Sequence, residues 1–196
     1  MLFKKTPDVP KEISDSKMTK WYSSLSDQDK VRTNRYLDRA DTSSSYHFIS
    51  SVAAAAIADE NHSFAALVCE EGLGHQLTDM QRFTINELMI DAYIGTKRYD
   101  DAKGVCESNL KLYPSVSKEI IADNNGSVPE KMNCRNRYVD IVVGVGSGYD
   151  EAFALLDRFF DMNLISKEDL TFRKQSLKIH RLQRSFDGVY TYTYKS

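Results

Sequence analysis

The sequence predicts an all-α fold, and three observations carry that expectation. Apolar side chains recur every three to four residues along most of the chain, the period that gives a helix one buried stripe. Only 4 prolines and 9 glycines interrupt 196 residues, too few for many strands joined by tight turns. Helix-start signals, in which a hydroxyl is followed three residues later by an acidic or amide side chain, precede several of the apolar runs. The expected architecture is antiparallel helical hairpins, stacked as a short superhelix or gathered into an irregular helical bundle. One such domain is expected over residues 17–186, between an N-terminal arm (1–16) and a C-terminal tail (187–196).

Residues 1–16 are polar and hold two of the four prolines, so a loosely attached arm is expected there. Trp21, Tyr22 and Leu25 mark a short helix. Ser26-Asp27-Gln28-Asp29 opens another, with Val31, Tyr36 and Leu37 on its inner face. Asp41-Thr42-Ser43-Ser44 starts a helix near 43–58, whose small residues Ala53–Ala56 suit the middle of the molecule, where helix axes approach closely. After the polar break Asp59-Glu60-Asn61, a partner helix runs from His62 to Glu71. Gly72 and Gly74 fit its end, since glycine accepts a left-handed backbone.

Thr78-Asp79-Met80-Gln81 is a capping box, followed by Phe83, Ile85, Leu88, Met89, Ala92 and Tyr93 at helical spacing. Tyr99, Ala102, Val105, Cys106, Leu110 and Tyr113 mark the next helix, expected to stop at Pro114. So short a connection makes these two antiparallel. Residues 115–130 are less regular. A further pair spans about 130–145 and 149–162 across a glycine-rich break, and Ser166-Lys167-Glu168-Asp169 caps a last helix near 167–185. The alternation in Val189-Tyr190-Thr191-Tyr192-Thr193-Tyr194 suggests a short extended tail.

Composition bounds the function classes. A hydrophobic share of 41% with 28% charged residues is that of a globular protein able to bury a core. A formal charge of −2 offers polyanions no overall attraction, so nucleic acid would need a local basic patch. Cys69, Cys106 and Cys134 are too few for a disulfide framework and read as buried thiols in a reducing compartment. The opening Met1-Leu2-Phe3-Lys4-Lys5 lacks the apolar stretch of a signal peptide. The longest apolar run, Val52 to Ala58, falls short of the ~20 residues that span a bilayer. The expectation is a cytoplasmic protein without membrane contact.

No residue pattern points to catalysis. Gly144-Val145-Gly146-Ser147-Gly148 follows a β-branched run, as a nucleotide-binding turn would. Its third glycine comes one residue early, and Asp150 and Glu151 would meet a pyrophosphate with like charge, so it reads as a structural turn. His47, His62, His75 and His180 are isolated, none at the spacing that puts two metal ligands on one helix face. Neither metal nor cofactor is expected. Arg173, Lys174, Lys178, Arg181 and Arg184 make the last helix basic, with Lys174, Lys178 and Arg181 on one side. A nucleic-acid accessory role through residues 173–184 is therefore the alternative function.

One internal echo carries a family resemblance. Tyr93, Tyr99, Ala102, Cys106, Leu110 and Pro114 resemble the tetratricopeptide repeat: an aromatic in the first helix, Tyr-x-x-Ala opening the second, an apolar residue four later, and a closing proline. The template also fits Val143, Tyr149, Ala152, Leu156, Phe160 and Leu164, and more loosely Ala56, His62, Ala65, Cys69, Leu73 and Leu77. The units are then about 46–78, 82–114 and 133–164. Departures exist: His62, Tyr99 and Tyr149 lie 37 and then 50 residues apart, where this family repeats at about 34. The resemblance implies a non-enzymatic scaffold or adaptor that binds a protein or peptide, or a second copy of the chain. It implies a groove lined by Thr84, Glu87, Asp91 and Ile94, then Arg137 and Ile141, with His47, Ser50 and Ala54 as neighbours.

Overall fold

The computed structural model describes the backbone of residues 9–146 and 148–193, and the side chains of these except 145, 146 and 186–193. Every regular element among the described residues is helical: α1 (Lys11–Asp15), α2 (Thr19–Ser24), α3 (Asp27–Asn34), a 3-10 turn (Leu37–Arg39), α4 (Ser45–Ala58), α5 (His62–Leu73), α6 (Asp79–Gly95), α7 (Tyr99–Asp123), α8 (Asn133–Gly146), α9 (Tyr149–Asp161) and α10 (Lys167–Thr193). The fold is all-α, as the periodicity requires. Where one domain over 17–186 is expected, the chain divides into two compact units, Met1–Val116 and Ser117–Ser196, with α7 running across the division.

In the first unit, α4 packs against α5, α6 and the 3-10 turn, and α5 packs against α6. Phe48, Ile49, Val52, Phe64, Val68, Ile85 and Ile90 have no exposed surface and form the core of these contacts. The start of α5 meets the end of α6, where the His62 ring occupies the space that a Cβ at Gly95 would need. At the other end Gly72 of α5 lies beside Ile85 of α6, so the two helices run antiparallel. The first part of α7 is antiparallel to α6: Asn109 bonds to Asn86, and Ser115 bonds to Asp79 at the start of α6. Local chemistry fixes the starts. Ser26 accepts from the Asp29 amide, Ser44 from that of His47, and Thr78 with Gln81 forms the complete capping box.

The second unit packs α8 on α9 and α9 on α10. Val142, Leu155, Leu156, Phe159 and Leu164 are buried there. The guanidinium of Arg135, only 5% exposed, ties the connecting segments together. It donates to the carbonyls of Pro129 (2.9 Å), Glu130 (2.6 Å) and Leu164 (2.8 Å).

Several expectations are corrected. The arm is not loose throughout: residues 11–15 form α1, and Ile13 and Ser16 are fully buried. Residues 1–8 lie outside the described residues. Tyr36 is buried as expected, but Val31 is 55% exposed and Thr33 takes the inward position, because α3 ends at Asn34 and the chain then tightens into the 3-10 turn. Pro114 does not stop its helix; α7 continues to Asp123 with the proline inside it. Gly72 and Gly74 do not use a left-handed backbone. Gly74 is right-handed at φ −75°, and Gly72 is small because a Cβ there would lie 2.8 Å from Ile49 and 2.9 Å from Ile85. Phe160 is 38% exposed, and its neighbour Phe159 fills the core position. The tail through Thr193 continues α10 rather than extending, and residues 194–196 lie outside the described residues.

Candidate functional site

The residues of the expected groove fall into both units. On α6, Thr84, Glu87, Asp91 and Ile94 are all half-buried. Thr84 donates to its own helix at the Met80 carbonyl. Glu87 turns toward α7, where its carboxylate accepts from the Asn109 amide at 2.9 Å. On α4, His47 and Ala54 are exposed and Ser50 is half-buried. On α8, Arg137 is exposed but Ile141 is only 6% exposed, so it contributes to the core and not to an open surface.

Two polar arrangements in the first unit are invisible in the sequence. Asn86 and Asn109 are buried side by side; Asn86 donates to the Asn109 carbonyl oxygen at 2.8 Å, and Asn109 donates onward to the Phe83 carbonyl and to Glu87. At the α6–α7 joint, Arg98 stacks 4.0 Å from the Tyr93 ring centre and reaches Glu70 (2.9 Å) and Asp101 (2.7 Å), while the Tyr93 hydroxyl donates to Glu70. Burial, then that bond to Glu70, pushes the Tyr93 phenol up to about 12. These groups are paired with one another across the α5–α6–α7 joints.

Cys69, Cys106 and Cys134 are buried, and none is in a disulfide. Burial pushes the Cys69 thiol up to about 12, and burial with nearby Glu87 raises Cys106 as well. A nucleophilic cysteine needs the opposite, a depressed value in a cationic setting. Among the described residues no three His, Cys, Asp or Glu side chains gather as a metal site. Gly144 and Gly146 end α8, so the preceding β-branched run is helix rather than strand. The Gly148 amide reaches back to the Val142 carbonyl, and Ser147 lies outside the described residues.

The basic helix is the most informative element. Lys174 pairs with Asp157 of α9, and Arg181 pairs with Asp150 at 3.0 Å while lying over the Tyr149 ring. Arg184 donates to the Val143 carbonyl near the end of α8. Lys178 is exposed, and Arg173 is half-buried. Three of the five cations are therefore held against α8 and α9, as counterions or as a cap for free carbonyls.

Between α8 and α10 lies an open cleft of about 600 Å³. Val139, Val143, Leu156 and Leu177 supply its apolar surface; Asn136, Asp140, Arg173 and His180 supply polar edges. His180 is oriented by a bond between its Nδ1 and the Tyr149 hydroxyl at 2.9 Å. Desolvation raises the Asp140 carboxyl above its ordinary range, against the opposing pull of Arg137 and Arg173. Beside the cleft, α10 leaves Phe172, Ile179 and Leu182 exposed. The spacing of seven between Phe172 and Ile179 was the available sequence signal for this surface, masked by the basic residues around it. Among the described residues no helix is long and apolar enough to cross a membrane. No family model, no curated protein and no solved structure matches this chain.

Proposed function

We propose that the chain is a non-enzymatic interaction module whose helices α4–α7 form a tetratricopeptide-like stack binding a protein or peptide. The supporting observation is a 37-residue offset relating α4 and α5 to α6 and α7; it joins two helix exits, of a kind that also closes α1, α7 and α9, and the buried small positions that follow them. After α4, Glu60 is left-handed (φ 58°) and the Asn61 amide reaches back to the Ala56 carbonyl; after α6, Lys97 is left-handed (φ 61°) and the Arg98 amide reaches back to Tyr93. This is the Schellman exit, which ends one helix and turns the chain into the next.

The same offset relates Ala65 to Ala102 and Cys69 to Cys106, and all four are fully buried. Small side chains at these positions let the second helix of each pair lie close to its neighbour. The offset also relates His47, Ser50 and Ala54 of α4 to Thr84, Glu87 and Asp91 of α6, so the first helices offer equivalent positions. Contacts between α4 and α6 are what successive first helices of a stack require. A nucleic-acid role for α10 has less support, because Lys174, Arg181 and Arg184 already have partners within the chain.

Affinity capture from native lysate tests the reading, comparing the wild-type chain with Ala54→Arg and Thr84→Arg. Both variants are expected to keep the helical circular dichroism spectrum and to lose their specific co-purifying protein by about tenfold or more. Equal recovery by all three chains would count against a site on α4 and α6.

A further inference from the structure

The outer side of α10 combines two properties that a solvated helix face does not need together. Phe172, Ile179 and Leu182 are 69%, 56% and 57% exposed. Their spacing of seven and three places them along one side of the helix, over about 15 Å of its length. Single exposed apolar residues are ordinary, but three on one side of a helix make an interrupted apolar stripe, with Gln175 between Phe172 and Ile179. From residue 170 to 185 the helix carries five Lys or Arg side chains; Lys174, Arg181 and Arg184 are engaged with α8 and α9, which leaves Arg173 and Lys178 to flank the apolar stripe. Phe172 and Arg173 stand at the lip of the α8–α10 cleft, and exposed Lys178 lies on the other side of the apolar stripe.

We propose that this face of α10, with the adjoining cleft, docks an acidic amphipathic helix from another protein. The partner's apolar ridge would lie along Phe172, Ile179 and Leu182, and its carboxylates would flank the ridge toward Arg173 and Lys178. Charge selects this occupant over the others. A second copy presenting α10 would bring cations against cations. A uniformly anionic surface, lipid or nucleic acid, would also meet Asp140 and Asp169 at the cleft, whereas a helix can place its carboxylates selectively. Nucleic acid would leave the apolar stripe uncovered, and a flat bilayer surface would not enter the recess beside it. All of these residues lie in the second unit, so the proposal stands or falls independently of the reading of α4–α7.

The test uses the full chain and a fluorescent Leu/Glu amphipathic peptide of about five helical turns, with a Leu/Lys peptide of the same apolar pattern as its counterpart. Anisotropy is expected to give the Glu peptide an affinity about tenfold or more above that of the Lys peptide, weakening with salt. The chain carrying Phe172→Ser with Ile179→Ser, both exposed positions, should lose at least about tenfold in affinity with its dichroism spectrum unchanged. Lys178→Glu should reduce the preference for the Glu peptide. Absence of binding, equal affinity for the two peptides, or indifference to the serine substitutions overturns the proposal. So does preferential binding of phosphatidylserine vesicles or single-stranded DNA through the same residues, or a dimer in sedimentation that the serine substitutions abolish.

Discussion

Asn109 has no exposed surface, yet its amide makes three hydrogen bonds, one accepted from Asn86 and two donated to Phe83 and Glu87. Removing it strands Asn86 and the Glu87 carboxylate inside the α6–α7 contact. Asn109→Ala should therefore lower stability by about 1–3 kcal/mol in urea unfolding. Adding Asn86→Ala to that variant should cost less than Asn86→Ala alone, because the stranded partner has gone; strict additivity in the double-mutant cycle would refute the coupling. Arg135 follows the same logic with charge. Three of its donor contacts are to backbone carbonyls, so it holds two connecting segments in place where a lysine's point charge could not reach all three oxygens. Both residues look solvated in the sequence, because polar residue types carry no local sign of burial.

At the level of elements, several helix starts are legible because their capping chemistry acts within four residues. Ser26, Ser44, Thr78 and Ser166 each begin a helix as their side chains predict. Pro114 sits inside a helix rather than ending it because a local rule meets a longer-range one. Leu110, Tyr113, Val116 and Ile120 are all buried and spaced three, three and four apart, so one buried stripe passes straight through the proline. Continued burial outweighs the roughly 3 kcal/mol that an interior proline costs. Gly72 was recognised as special for the wrong reason: its value lies in the close approach to α4 and α6, which no one-dimensional pattern displays. Gly72→Ala should push into Ile49 and Ile85, and overpacking of about 1–3 kcal/mol should exceed the helix-propensity gain of about 1 kcal/mol. A thermal midpoint at or above that of the wild type would contradict the tight packing inferred here.

For the whole molecule, the buried thiols set a pH dependence. Cys69 has an ordinary value near 9.0 raised to about 12, and Cys106 is raised too. Below about pH 9 each thiol is neutral in both folded and unfolded chains, so its contribution is fully present. Between about 9 and 12 the unfolded chain releases protons that the folded chain retains, and stability falls as pH rises. The slope should approach about 1.4 kcal/mol per pH unit for each fully buried thiol. Denaturant unfolding at stepped pH checks this: a stability flat from pH 8 to 11 would mean that the thiols ionise without unfolding. The helical class was readable at this scale from periodicity alone. The division into two units was not, because α7 carries an unbroken apolar pattern across it, and a repeat template tuned to pairs of helices has no term for where compact units separate. The α8–α10 cleft has no local signature for a related reason: its walls come from three separate helices, and the exposed Phe172, Ile179 and Leu182 are interleaved with basic residues.

The concealment of all three sulfur atoms has a practical corollary. The only cysteines in the chain show no exposed surface, so a maleimide dye offered to the native protein would find little to react with. A single cysteine introduced at exposed Ala54, joined by a second on the outer side of α10, would then be the only two labelling handles. A donor and acceptor attached there would report the distance between the two units of the unliganded chain in solution, without deleting any native thiol.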